Sequence, residues 1–164
     1  MTPQLRLEQL YRSCRDDVYA YVASLLRDRA LAEDVTALAF ERAFRRRRLF
    51  DARRGSERAW LFGIARNAAL DELRRLKRSG GSLDDVPAEL DQADDDEDGP
   101  LRRAAVGAAL KTLDPREREL IALKFHAGLS NAEIARVLRV SESNAGTLLH
   151  RTVTKLRKAC DDQA

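Results

Sequence analysis

The stretch LDPRERELIALKFHAGLSNAEIARVLRVSESNAGTLLH, residues 113–150, decides the fold. It opens on Asp114-Pro115-Arg116-Glu117. An acid at the cap, a proline in the first turn and a glutamate three residues after the cap together start a helix. That helix is predicted to run through Leu120, Ile121 and Leu123 and to end near Ala127-Gly128. Ser130-Asn131-Ala132-Glu133 supplies a second capping box, followed by a short helix carrying Ile134, Ala135, Val137 and Leu138. Arg139-Val140 reads as a tight turn, and Ser141 caps a final helix reaching about Lys158. A short helix, a brief turn and a longer helix form a helix-turn-helix, whose second helix enters the DNA major groove by its N-terminal part. The groove-facing candidates are Ser141, Glu142, Ser143, Asn144, Thr147 and His150, with Arg151, Lys155 and Lys158 placed for phosphates.

Upstream, residues 1–80 read as three further helices. Thr2-Pro3 is a start signal, and Leu7, Leu10, Tyr11, Cys14, Val18, Tyr21, Val22 and Leu25 recur every three or four positions. A second helix is predicted over about 30–47, with Leu31, Val35, Leu38, Ala39, Phe40, Ala43 and Phe44 available for burial. The segment from Phe50 to Gly55 breaks the pattern. Ser56 then caps a third helix with Trp60, Leu61, Ile64, Ala68, Leu73 and Leu76 on its apolar side, and Ser79-Gly80-Gly81 ends it. No run alternates as a half-buried strand does. The predicted class is therefore all-α: two small helical domains joined by a flexible acidic linker.

Charge marks the same boundaries. Residues 1–80 carry 18 basic and 11 acidic side chains; residues 81–100 carry nine acids and no base; residues 101–164 carry 12 bases and seven acids. Clustered like charge with Gly, Ser and Pro disfavours packing, so 81–100 is predicted to be a mobile connector between domains at 1–80 and 101–164. Two basic blocks suit a polyanionic partner. At 164 residues the chain is too short for a (β/α)₈ barrel, which needs about 250. No apolar run approaches a membrane span, and the first ten residues lack a signal-peptide core. Cys14 and Cys160 lie far apart with no metal-binding spacing, which fits a reduced, cytoplasmic protein. No phosphate-binding GxxxxGK[ST], HExxH or GxSxG motif occurs, and the chain has only two histidines, His126 and His150. No catalytic site, cofactor or metal is expected.

Several segments in a fixed order carry a family resemblance. They are Ala32-Glu33-Asp34-Val35 with Phe40 and Arg42-Ala43-Phe44; Trp60-Leu61-Phe62-Gly63-Ile64-Ala65-Arg66-Asn67; and Asp71-Glu72-Leu73-Arg74-Arg75. Leu113 to Arg118, Gly128 to Ala135, His150-Arg151 and Leu156-Arg157 complete them. Over nearly its whole length the chain resembles the extracytoplasmic-function (ECF) sigma factors, two-domain specificity subunits of bacterial RNA polymerase within the sigma-70 family. The resemblance implies a region 2-like first domain, a region 4-like second domain, and core polymerase (its β and β′ subunits) and promoter DNA as partners. It adds an anti-sigma factor as a further candidate partner.

Residue by residue, Glu33, Asp34 and Phe40 would lie on the helix that docks on the β′ clamp coiled coil. The loop over 45–57 and the following helix would read and open the minus-ten element. Capturing an unstacked base takes a pocket plus cations along the strand. Arg45, Arg46, Arg47, Phe50, Arg53, Arg54, Asn67, Arg74 and Arg75 are the candidates, while Trp60 is expected to pack in the core. Ser141, Ser143, Asn144, Thr147, His150, Arg151 and Lys155 would read the minus-thirty-five element. Ala37, Leu38, Gly146 and Leu148 depart from the family pattern, and the absence of cations at 146 and 148 is expected to weaken DNA binding. The acidic connector would thread into the polymerase like an RNA strand, fold back on the basic domains, or serve as a plain tether. The competing class is a stand-alone helix-turn-helix regulator that binds duplex DNA unaided.

Overall fold

A computed structural model of the chain describes residues 3–80 and 99–162. The described residues form seven α-helices and no strand: α1 (Pro3–Leu26), α2 (Arg29–Arg45), α3 (Glu57–Arg78), α4 (Gly99–Lys111), α5 (Pro115–Ile121), α6 (Asn131–Leu138) and α7 (Glu142–Asp162). The all-α expectation therefore holds. The acidic stretch 81–100 lies outside the described residues, as does the Thr2 cap, except that Gly99 and Pro100 already belong to α4. Nothing in the sequence reading anticipated α4.

Helices α1, α2 and α3 pack against one another. From α1, Leu10, Cys14, Val18, Tyr21 and Val22 are buried as the periodicity predicts, but Leu26 is buried where Leu25 was expected, and Tyr11 of the predicted stripe is exposed. Cys14 is thus a core residue. The start of α2 is fixed by Asp28, whose carboxylate accepts the Leu31 N–H at 3.1 Å. The helix stops at Arg45, two residues short of expectation, and a single 3₁₀ turn over Arg47–Leu49 follows. Phe44, expected inside, is exposed. It shares an outer stripe of α2 with Glu33, Ala37 and Phe40, and the Arg47 guanidinium covers its ring at 4.4 Å. Ser56 caps α3 as predicted, accepting the Ala59 N–H at 3.1 Å.

Helix α3 is buried on more than one side, because α1 and α2 pack on it and α6 does too. Phe62, absent from the predicted apolar face, is therefore fully buried and meets Tyr21 edge-to-face at 5.5 Å. Burying an aromatic ring of this size contributes about 1.5–3 kcal/mol.

In the second half, both capping boxes form as the sequence predicts: Asp114 with Glu117, and Ser130 with Glu133. Between them, α5 gives way to a π-turn over Ala122–His126. Gly128, at φ +66°, then turns the chain into α6. This is a backbone region open to glycine at no steric cost. Arg139 adopts the left-handed conformation that ends α6, and Ser141 caps α7 by accepting the Asn144 N–H at 3.0 Å. Helices α4, α5 and α6 all pack on α7, and Leu120, Leu123, Ile134, Leu138, Ala145 and Leu149 are buried.

Candidate nucleic-acid interface

Two surfaces bring the sequence-derived candidates together. The first is built on the 45–57 loop and α3. Arg45, Arg46, Arg53, Arg54, Asn67, Arg74 and Arg75 are exposed, and Arg47 and Phe50 are half-buried. The loop is pinned from inside: Phe50 meets Trp60 edge-to-face at 5.5 Å. Trp60 is half-buried, so it is a loop anchor at the margin of the core. Asp51 accepts the Arg53 N–H at 3.0 Å and pairs with its guanidinium at 3.2 Å. Those two bonds, the backbone one foremost, hold the Asp51 carboxyl below its ordinary range. Beside the loop lies an open depression lined by Arg6, Gln9, Phe50, Ala52, Gly55 and Ser56.

Much of this positive charge is already paired with carboxylates on the same elements. Arg45 meets Glu41 at 2.7 Å, Arg75 meets Glu72 at 2.5 Å, and Arg74 meets Asp71 at 3.3 Å. Arg42, from α2, reaches the other oxygen of Asp71 at 3.2 Å. Arg75 lowers the Glu72 pKa, so that carboxylate stays charged. Exposed pairs of this kind are worth little and break readily.

The second surface is the outer face of α7. Ser143, Asn144, Thr147, His150 and Arg151 recur at helical spacing and are all exposed. Ser141 stands at the head of the face with its hydroxyl engaged in the cap. Lys155 is farther down and pairs with Glu117 of α5 at 2.9 Å. Gly146 and Leu148 are turned away from this face. A Cβ on Gly146 would meet Asn131 of α6 at 3.7 Å, and Leu148 packs against the core. Both are half-buried, on the flanks of α7 rather than on its exposed face.

On α2, Glu33 and Asp34 are exposed. Phe40 is half-buried against Tyr11, edge-to-face at 4.9 Å. The two rings line an open groove between α1 and α2 with Leu7, Glu8, Arg12 and Phe44. An apolar groove with both an acidic and a basic side chain at its margin, Glu8 and Arg12, is suited to an amphipathic helix.

The sequence reading missed Arg58 and Arg66. Arg58 donates to Asp17 at 2.5 Å, to the Cys14 sulfur at 3.1 Å, and to the His126 and Ala127 carbonyls. Arg66 donates to Glu119 at 2.6 Å, and Tyr21 donates to the same oxygen at 2.8 Å. Glu119 is almost wholly buried, at 7% exposure. Burial, reinforced by the Glu119 charge, pushes the Tyr21 hydroxyl well above its ordinary pKa. These contacts join residues 41 to 98 positions apart, and no local spacing announces them. Among the described residues no cluster of His, Cys, Asp and Glu is suited to a metal ion, and no helix is long and apolar enough to cross a membrane.

Residues 10–79 match the family described as Sigma-70 region 2, and residues 103–156 match Sigma-70, region 4. The chain is 34% identical over 160 residues to the ECF RNA polymerase sigma factor BldN of Streptomyces coelicolor. That match covers 95% of this chain, which spans 61% of BldN's length. It is 31% identical over 153 residues to the ECF RNA polymerase sigma factor SigL of Mycobacterium tuberculosis, covering 92% of this chain and 86% of SigL. Among solved structures, CnrH in complex with the cytosolic domain of CnrY is 26% identical with a TM-score of 0.67, covering 98% of this chain and 91% of CnrH. The sigma factor RpoE of Bartonella quintana, solved with the anti-sigma factor NepR, shares the fold at 20% identity and a TM-score of 0.69, over 94% of this chain and 96% of RpoE. The chain belongs to the extracytoplasmic-function family of RNA polymerase sigma factors.

Proposed function

We propose that this chain binds bacterial core RNA polymerase through its β and β′ subunits, recognises the minus-ten and minus-thirty-five promoter elements, and supports promoter opening in the cytoplasm. The observation that carries this reading is the presence, in one chain and in order, of a region 2 match and a region 4 match, each with a polar face open to solvent. A stand-alone regulator would leave residues 10–79 without a role. Phosphodiester chemistry belongs to the polymerase, and this chain supplies no catalytic group.

In this reading Glu33, Asp34 and the Phe40 groove meet the β′ clamp. Arg45, Arg46, Arg47, Arg53, Arg54, Arg74 and Arg75 track the separated minus-ten strand, with Asn67 beside them. Single-stranded DNA is held by cations along its backbone and by pockets for unstacked bases. The depression beside Phe50 is the proposed pocket, with Phe50 as its wall, fixed by Trp60. Ser143, Asn144, Thr147 and His150 read base edges of the minus-thirty-five element, and Arg151 and Lys155 hold phosphates. Ser141 acts by fixing the start of α7. The proposed domains are 1–80 and 101–164, with 81–100 as the connector. An anti-sigma factor is a further proposed partner, on the likeness to CnrH, which is solved with the cytosolic domain of CnrY.

The test is a binding comparison at physiological salt with core polymerase alone, promoter duplex alone, and all three together. Tight core binding, with specific DNA binding and transcript initiation only in the ternary mixture, is expected. Specific duplex binding without core, and no affinity for core, would overturn the reading.

A further inference from the structure

Leu49 is the most exposed large apolar side chain among the described residues, at 74%, and the function proposed above gives it no part. A single exposed leucine is ordinary on a protein surface. This one is held in place on both sides. The 3₁₀ turn that carries it closes with the Leu49 N–H donating to the Arg46 carbonyl at 2.8 Å. Within that turn the Arg47 guanidinium donates to the Phe44 carbonyl at 2.8 Å and lies over the Phe44 ring. Immediately after Leu49, Phe50 is pinned by Trp60. The apolar side chain therefore stands out from a backbone that is fixed before and behind it.

Its surroundings select a partner. Arg46 and Arg48 precede it, both exposed and without a side-chain hydrogen bond or ion pair among the described residues. In this they differ from Arg45, Arg74 and Arg75, which are paired with carboxylates. An apolar knob beside free cations matches a surface that offers phosphates and flat rings together, which is the edge of an unstacking strand. The position matches as well. Phe50 walls the depression proposed to receive an unstacked base. Consecutive Cα atoms lie about 3.8 Å apart, close to the rise of about 3.4 Å from one stacked base to the next. The residue next to the pocket wall thus falls beside the step that a captured base has left.

We propose that Leu49 is a wedge: it enters the gap beside the nucleotide captured at Phe50 and keeps the neighbouring bases from restacking, while Arg46 and Arg48 hold the flanking phosphates. This deepens the sigma-factor reading and rests on it. Apolar side chains that insert at a base step replace base–base contact with side chain–base contact. Leu49 is exposed in the free chain, so it buries its apolar surface only when it meets DNA. A wedge of this kind slows the return of a flipped base to the stack. Its loss therefore acts on promoter opening, and hardly on the grip of a strand that is already open.

The test uses polymerase reconstituted with the full chain, on one promoter in two forms: fully paired, and opened beforehand by mismatches across the minus-ten element. A fluorescent adenine analogue in that element follows unstacking, and titration follows affinity. Leu49→Ala is expected to lower the opening rate on the paired promoter about tenfold and to bind the mismatched one within about twofold of the unaltered chain. Leu49→Met keeps volume and apolarity and is expected to restore most of the rate. Leu49→Gln keeps length without apolarity and is expected to behave as Leu49→Ala does. Arg48→Gln, by contrast, should weaken binding to both forms and make its salt dependence shallower. Because Leu49 is exposed, thermal unfolding of Leu49→Ala should match that of the unaltered chain. Equal opening by Leu49→Ala and the unaltered chain overturns the proposal. So does an equal loss on both promoter forms, which would make Leu49 a contact for affinity alone, or a loss of core binding, which would place it against a protein surface. Leu49→Met no faster than Leu49→Gln also overturns it. If the unaltered chain itself neither binds core nor opens the promoter, the sigma-factor reading falls and the wedge with it. If the unaltered chain does both and Leu49→Ala does so equally, only the wedge falls.

Discussion

The two surfaces proposed to face DNA differ in their chemistry. The surface of the first half is a field of arginines, several of them parked on neighbouring carboxylates such as Glu41, Asp71 and Glu72. The outer face of α7 presents short side chains, Ser143, Asn144, Thr147 and His150, next to the exposed Glu142 and before its cations begin at Arg151. A separated strand offers a flexible line of phosphates, and long cationic side chains can follow it. A major groove offers fixed donors and acceptors, and short side chains on a rigid helix read them at a smaller entropic cost. On the proposed reading, affinity rests mainly on the first surface and base discrimination mainly on the second.

The sharpest way to break this division is to neutralise Arg45, Arg46, Arg53 and Arg54 together to Gln. Promoter binding by the reconstituted polymerase should weaken on every sequence alike. The slope of log K against log salt should become shallower by about 0.7 for each single-strand phosphate that is no longer neutralised. Titration at several salt concentrations measures it. An unchanged slope would remove these arginines from the interface.

The complementary change is Asn144→Ala or Thr147→Ala. Each should cost about 1–3 kcal/mol of discrimination at one base pair of the minus-thirty-five element and leave the salt slope as it was. Binding to a panel of single-base promoter variants reads this out. A uniform weakening across the panel would mean that α7 acts by charge as the first surface does.

Gly146→Ala asks whether the flank of α7 is separate from its reading face. The added methyl meets Asn131 at ordinary van der Waals distance, and a helical glycine costs about 1 kcal/mol relative to alanine. Thermal unfolding should shift upward by the equivalent of up to about 1 kcal/mol, with minus-thirty-five specificity unchanged.

Smaller effects test the parked charges and the half-buried His126. Asp71→Asn frees Arg42 and Arg74 and should tighten promoter binding about two- to fivefold. His126 has its pKa lowered by burial, partly opposed by Asp17. Its folded form therefore prefers the neutral ring. The resulting stability is present above the ordinary histidine pKa of about 6.5 and is lost as pH falls below it. The melting temperature should drop on going from pH 7 to pH 5, and His126→Gln should make that drop smaller.

The sequence was legible where structure is local. Asp114 with Glu117, Ser130 with Glu133, Ser56 with Ala59 and Ser141 with Asn144 lie three residues apart, and each forms the cap its spacing announces. The apolar stripe of α1 is local in the same sense, as is the exposed run on α7. Helix α4 was not legible, because Gly99-Pro100 reads as the tail of an acidic connector and the alanines after it leave a weak apolar stripe. Phe44 and Phe62 were misplaced for a related reason: periodicity gives the apolar side of a helix but not how many neighbours will cover it.

The sequence by itself determined the helices, their caps, the helix-turn-helix and which side chains bear charge. It did so because capping bonds and amphipathic faces are settled within a turn or two of chain. Only the tertiary structure decided that Gly146 and Leu148 lie on the flanks of α7, that Trp60 anchors a loop, and that Glu119 sits between Tyr21 and Arg66. Those outcomes depend on groups tens of residues apart meeting in a shared, water-poor interior. There an otherwise ordinary glutamate must find donors or not be buried at all.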